Sequence, residues 1–304
     1  MPDGRPLLAA RESRGTPENR QCDIGGVGLT IATMSLAEVS LLFLLQTAFG
    51  SLLTFAISDR PALGPKYFKF GGWVLLALYG LAGTLVWGPA LAPGAGGATR
   101  ALGLSVGVAA SSLVMFASVS GWDRPWLEAA LLWLGIAAGA AASALAVAFT
   151  GPGAGARAGL ALALPLVAAL ASSLVLGFTT WSMILGHWYL VSHGLSITHL
   201  ARLVRPLPWL LLFKAAVSGL ALWLLWPAFL GVGNASQSEL LANQPERVLD
   251  VVNVWARIPV GLLVPAVLAW MTLVTVRMEK TQPATGILYA MCVLVYLGEL
   301  MGDR

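Results

Sequence analysis

The sequence predicts an all-α, polytopic membrane protein with about eight transmembrane helices. Three observations predict it. Only 11% of the 304 residues are charged and 58% are hydrophobic, where a soluble domain carries about 25% charged residues. The mean hydropathy is +0.80. Apolar runs long enough to cross the roughly 30 Å hydrocarbon core recur between short polar or Gly/Pro breaks. These runs are continuously apolar, unlike the alternation of a membrane β-barrel.

Residues 1–33 form a polar tail in which Arg5, Arg11, Arg14 and Arg20 are balanced by Asp3, Glu12, Glu18 and Asp23. Its charged part is too long for a signal peptide. Its composition predicts disorder, and Met34 reads as an alternative start. The first helix is expected near 36–58, with Glu38 at its entry and Gln46 near its middle. A basic loop (Arg60, Lys66, Lys69) leads to a second helix near 68–88. The uncharged, Gly/Pro-rich stretch that follows is too broken to be helical. A third helix near 99–119 is rich in small residues, and its Gly103 and Gly107 form a GxxxG, a candidate packing face. The fourth, near 126–149, is entered through Trp122-Asp123-Arg124-Pro125-Trp126, which fits an interfacial belt.

The fifth helix, near 162–191, is long. Its rise of about 45 Å exceeds the apolar core, so it must tilt, kink or protrude. The sixth is expected near 207–230, with Lys214 about two turns in. The loop near 231–253 carries the capping-box pattern Ser236-x-x-Glu239, Pro245-Glu246 at the start of a second short helix, and a sequon at Asn234. Arg257 enters a seventh helix near 256–276 with Pro265 inside, and Glu299 lies near the end of an eighth near 284–301. The connections suggest two four-helix halves related as a parallel repeat.

Basic residues cluster in the loops after the first, third, fifth and seventh helices: Arg60, Lys66, Lys69, Arg124, Arg202, Arg205, Arg277 and Lys280. Positive-inside bias then places both termini outside. Abundant Ala, Gly, Leu and Arg with few Lys suggests a GC-rich bacterial source, and the helical bundle is then expected in a bacterial inner membrane. The basic residues sit at helix ends and the net charge is only +4, which gives no support for nucleic-acid binding. There is no P-loop, nucleophile elbow, zinc motif or GxGxxG. Cys22 and Cys292 read as free thiols.

All three histidines, His187, His193 and His199, lie in one stretch. Six-residue steps rotate them by roughly 120° each, so they share no helix face. No other predicted helix carries a histidine to complete a bis-His site, which disfavours haem. His187 ends a stripe with Ser173, Gly177, Thr180 and Ile184 that is polar enough to face protein. It is a candidate for proton exchange or for binding a quinone oxygen, against a purely structural hydrogen bond. Trp188 and Tyr189 suit an interfacial belt, with Tyr189 a secondary candidate. Glu38, Arg257 and Glu299 fall toward the outer ends of their helices, where an arginine between two carboxylates forms a reasonable network, against three separate residues reaching the head groups. His187, Lys214 and Glu128 fall toward the inner side, and Lys214 is expected to snorkel to the interface. Gln46 sits mid-membrane without an assigned partner.

Two segments carry a resemblance. Met183-Ile184-Leu185-Gly186-His187-Trp188-Tyr189-Leu190-Val191 and the C-terminal Thr281-Gln282, Thr285-Gly286-Ile287-Leu288-Tyr289 and Gly298-Glu299 resemble a group of bacterial integral membrane proteins without an established activity. In architecture alone, the eight-helix plan resembles the quinol-reacting membrane subunits of polysulfide-reductase-type complexes. The leading expectation is therefore a membrane subunit of a quinone-linked electron-transfer complex. It would contact the lipid bilayer and other membrane or redox subunits, with quinone as the candidate cofactor. The alternatives are a small-molecule or ion transporter or channel, favoured by broken helices at Pro165 or Pro265 and a polar midplane, and a structural or assembly subunit.

Overall fold

A computed structural model describes residues 36–87, 96–120, 124–150, 160–191, 195–231 and 258–302. They are α-helical almost throughout, with no strand among them. The helices are α1 (Leu36–Ile57), α2 (Arg60–Trp87), α3 (Gly96–Val119), α4 (Pro125–Phe149), α5 (Leu160–Val191), α6 (Thr198–Val204), α7 (Leu207–Gly231), α8 (Val264–Arg277) and α9 (Thr281–Gly302). A π-helical turn, Pro259–Leu263, precedes α8. Eight of the resulting spans are long and apolar enough to cross a bilayer, and the chain is a multi-pass membrane protein. The expected features of the N-terminal tail and of the loop near 231–253 lie outside the described residues, as do Arg257 and His193.

α1 and α5 form the centre. Leu41, Leu45, Ala48, Leu52 and Phe55 of α1 are fully buried, as are Val175, Leu176 and Trp181 of α5. The two helices touch backbone to backbone. A Cβ on Gly50 would strike the carbonyl group of Ser173, and one on Gly177 would strike the backbone of Gly50. In lipid, helices gain little from excluding water from one another, so close approach through small residues holds them together.

Packing in the second half follows that in the first. α1 packs on α2 and α4, and α3 on α2 and α4. Correspondingly, α5 packs on α7 and α9, and α8 on the same two helices. Two four-span halves thus meet chiefly along α1 and α5. The even number of spans per half keeps the halves in the same orientation, as in a parallel repeat.

Three boundaries differ from expectation. α2 begins at Arg60 rather than near 68, with its first turn set off by Gly64 at φ 74° and by Pro65. The glycine takes a left-handed conformation that a Cβ would resist. The stretch before α7, expected as a basic loop, contains α6, whose Leu200, Leu203 and Val204 are buried. Arg205 keeps helical dihedrals and its N–H bonds Ala201, while the N–H of Leu210 bonds Pro206. α6 and α7 therefore join into one span, Thr198–Leu224. The helix containing Pro265 begins with the π-helical turn, at which Gly261 lies against Gly298 of α9. Only one glycine of the α3 GxxxG packs on a neighbouring helix, against Trp87 of α2. A Cβ on Gly103 would meet the Trp87 ring at 2.8 Å, while Gly107 faces open space.

At the basic end of the bundle, an aromatic cluster joins the halves. The Phe55 ring lies 4.8 Å from Phe68, 4.9 Å from Trp181 and 5.7 Å from Phe116. The Arg60 guanidinium covers Phe68 and Phe116 at 5.9 and 5.8 Å, within cation–π range, and pairs with Glu128 at 3.6 Å.

Gly177→Leu should separate α1 from α5. Fluorescence-detected size-exclusion in mild detergent should show aggregation or loss of the monodisperse peak. Gly107→Leu, at an open position, should elute like the wild type. A monodisperse Gly177→Leu protein would contradict the close crossing.

Candidate functional site

The fold places one ion pair deep within the spans. Lys214 of α7 and Glu299 of α9 meet directly, with side chains 8% and 1% exposed. Taking two charges out of water is expensive unless they compensate each other, and charged groups within membranes pair or line pathways.

This corrects the reading of Lys214 as a snorkelling residue near the inner side. Counted from Leu207, Lys214 lies roughly 10 Å along its helix. The span starts at Thr198, however, and the distance becomes roughly 24 Å. Glu299 lies roughly 27 Å along α9 from Thr281. The two side chains therefore reach similar depths on parallel helices. α6 also explains the earlier error. His199, Arg202 and the following Arg205 look like loop residues, but the buried face of α6 continues the span.

The other expected site residues divide. Glu38 sits half-buried in the first turn of α1. Of the expected network of Glu38, Arg257 and Glu299, Arg257 lies outside the described residues, and Glu299 pairs with Lys214 of α7. Gln46 is buried, as expected for a mid-membrane position, and its Oε1 lacks a hydrogen-bond partner among the described residues. The Tyr189 hydroxyl donates to the Ser196 carbonyl and ties the end of α5 to the start of the next span. It is a fastening and does not join His187.

His187 lies at the exposed end of its stripe. Ser173, Gly177 and Thr180 are buried against neighbouring helices, but Ile184 is partly exposed and His187 is exposed. The His187 Nδ1 is 3.3 Å from the Tyr289 hydroxyl of α9, and the rings meet edge to face at 6.4 Å. His199 lies elsewhere, with its Nδ1 3.7 Å from Asp59 beside a small cleft that Arg202 also lines. Among the described residues no group of three His, Cys, Asp or Glu side chains could hold a metal.

Sequence reasoning missed Tyr296. Its hydroxyl lies 2.8 Å from Thr180 Oγ1. Thr180 donates its own proton to the Leu176 carbonyl at 2.6 Å, so Tyr296 must donate to Thr180. The Tyr296 ring also packs edge to face on Phe43 at 5.2 Å, and Cys292 lies one turn before it on the same face of α9. The available signal was the spacing of Tyr289, Cys292, Tyr296 and Glu299, a 3-4-3 stripe that repeats the pattern on α5.

Comparison of the chain with models of known families, with curated proteins and with solved structures finds no match. The site therefore rests on its own geometry.

Lys214→Met or Glu299→Leu alone should leave a buried charge without its partner, at a cost of about 3–5 kcal/mol. Thermal unfolding in detergent should show both single variants well below the wild type and the double variant recovering most of the loss. Additive losses in the double variant would show that the two groups do not interact.

Proposed function

We propose that the chain passes protons across a bacterial inner membrane. Glu299 takes up and releases the proton, and Lys214 is its counter-charge. The Lys214–Glu299 pair carries this reading. Ionisable groups held this far from water mark ion or proton pathways, and a carboxylate beside an ammonium can be neutralised and recharged without moving a helix. The break in helical geometry at Pro259–Leu263 supports it, because Gly261 of that turn touches Gly298, the neighbour of Glu299. Such π-helical turns are frequent at functional sites, and transporters place interrupted helices beside their ion sites.

This geometry ranks ion transport above quinone chemistry, because the buried charges sit away from His187. With the basic end on the cytoplasmic side, as positive-inside bias favours, Glu299 lies toward the outer face. Purified protein in liposomes loaded with a pH-sensitive dye should dissipate an imposed proton gradient when valinomycin balances charge. Glu299→Gln should lower that rate at least ten-fold. Equal rates in the two proteins would contradict the proposal.

One observation favours a second reading, in which the protein is the membrane subunit of a quinone-linked complex with redox partners. His187 and Tyr289 form a hydrogen-bonding pair exposed on the flank of the bundle. A quinone arriving through the lipid would find two polar groups for one carbonyl oxygen. A photoreactive quinone analogue should then label the wild type near α5 and α9 and fail to label His187→Ala. Labelling that is absent or unchanged would count against it.

A further inference from the structure

The two protic stripes on α5 and α9 face each other along one seam. On α9, Tyr289, Cys292, Tyr296 and Glu299 recur at 3-4-3 spacing and so lie on one helical face. On α5, Thr180 and His187 occupy the facing stripe. The seam is joined at His187–Tyr289 (3.3 Å) and at Thr180–Tyr296 (2.8 Å). Between these contacts, Cys292 is buried on the same face of α9, one turn from Tyr296. One end of the stripe is the His187–Tyr289 pair, with His187 roughly 6 Å from the end of α5 at the basic side of the bundle, within reach of interfacial water. The other is the buried Lys214–Glu299 pair, roughly 15 Å farther along α9 at 1.5 Å per residue.

We infer that the α5–α9 seam is the proton path to Glu299, entered at His187–Tyr289 and gated by Tyr296; this rests on the reading of Glu299 as the proton-carrying carboxylate. Every side chain of the α9 stripe carries an exchangeable proton or a lone pair that accepts one. Successive groups are one helical turn apart, a gap that hydroxyl rotation and an intervening water can bridge. In the described state Tyr296 donates to Thr180, whose proton is held by the Leu176 carbonyl. Its O–H is therefore turned away from onward transfer, and release from Thr180 opens the step.

Transfer leaves Tyr296 unchanged. Its oxygen accepts a proton from the Cys292 side as its own hydroxyl proton passes to the Glu299 carboxylate. Tyr296 ends as the neutral phenol it was, and Glu299 becomes a neutral acid. Release of that proton toward the far end of α9 restores the carboxylate facing the Lys214 ammonium. One proton enters, one leaves, and no other species is consumed.

The test is proton flux into liposomes containing the purified full chain. Tyr296→Phe keeps the ring against Phe43 and removes only the hydroxyl, and flux should fall at least ten-fold. Thr180→Val, which removes the resting acceptor, should change the flux without abolishing it. Tyr79→Phe, which removes a buried hydroxyl on α2 outside the seam, should conduct like the wild type. Near-wild-type flux in Tyr296→Phe, with Glu299→Gln inactive, would overturn the seam and leave the role of Glu299 intact. A wild type that conducts no faster than empty liposomes would overturn both.

Discussion

The contact between α1 and α5 is the constraint on which the other positions depend. Gly50 and Gly177 bring the two backbones together at a point where neither helix has room for a side chain. Each helix then serves as the spine of its half. α1 carries α2 and α4, and α5 carries α7 and α9. The ion pair belongs to the second set. Lys214 and Glu299 lie on helices that flank α5, so the position of α5 sets the geometry of both the pair and the seam.

The two halves share a packing plan and differ in chemistry. In the first half, Tyr79 of α2 packs into the space left by Gly139 of α4, and the interior is aromatic and aliphatic with neutral polar groups such as Gln46, Thr54 and Ser143. Arg60 pairs with Glu128, and Asp59 with His199 of the second half, at the basic end, where water and head groups are near. In the second half a lysine and a glutamate occupy the interior. A shared packing plan with a deeply buried ion pair in only the second half divides the labour, one half a scaffold and the other carrying the proposed polar path.

Much of this was legible in the sequence. The continuously apolar runs placed α1, α3, α4, α5 and α9 within a few residues, because a lipid-facing helix must satisfy its backbone internally and therefore reads as one long segment. Glu299 was legible as an intramembrane acid, and the stripe on α5 by its spacing. What misled was local polarity. His199, Arg202 and Arg205 made α6 look like a loop, although Leu200, Leu203 and Val204 give it a buried face. Moving the helix start from Leu207 to Thr198 moves Lys214 by more than two turns and turns an interfacial lysine into an interior one. Gly103 and Gly107 misled in the opposite sense. Their spacing suggested a helix contact, but one glycine accommodates a tryptophan ring and the other faces outward. Partner choice, as for Glu299 with Lys214, depends on depth and rotation across separate helices, which single-helix periodicity does not report.

The account stands or falls on α7 and α9 bringing positions 214 and 299 together inside the bundle. The most direct measurement is cross-linking in native membranes of a chain carrying Lys214→Cys and Glu299→Cys, with Cys22 and Cys292 replaced by serine. A Gly186→Cys, Thr285→Cys pair serves as reference, since a Cβ on Gly186 would lie 3.0 Å from Thr285 Oγ1. With a short membrane-permeant bifunctional thiol reagent, the account predicts efficient intramolecular linkage at both pairs. Linkage at 186–285 without linkage at 214–299 would contradict it, because the span from Thr198 would then not carry Lys214 to the depth of Glu299.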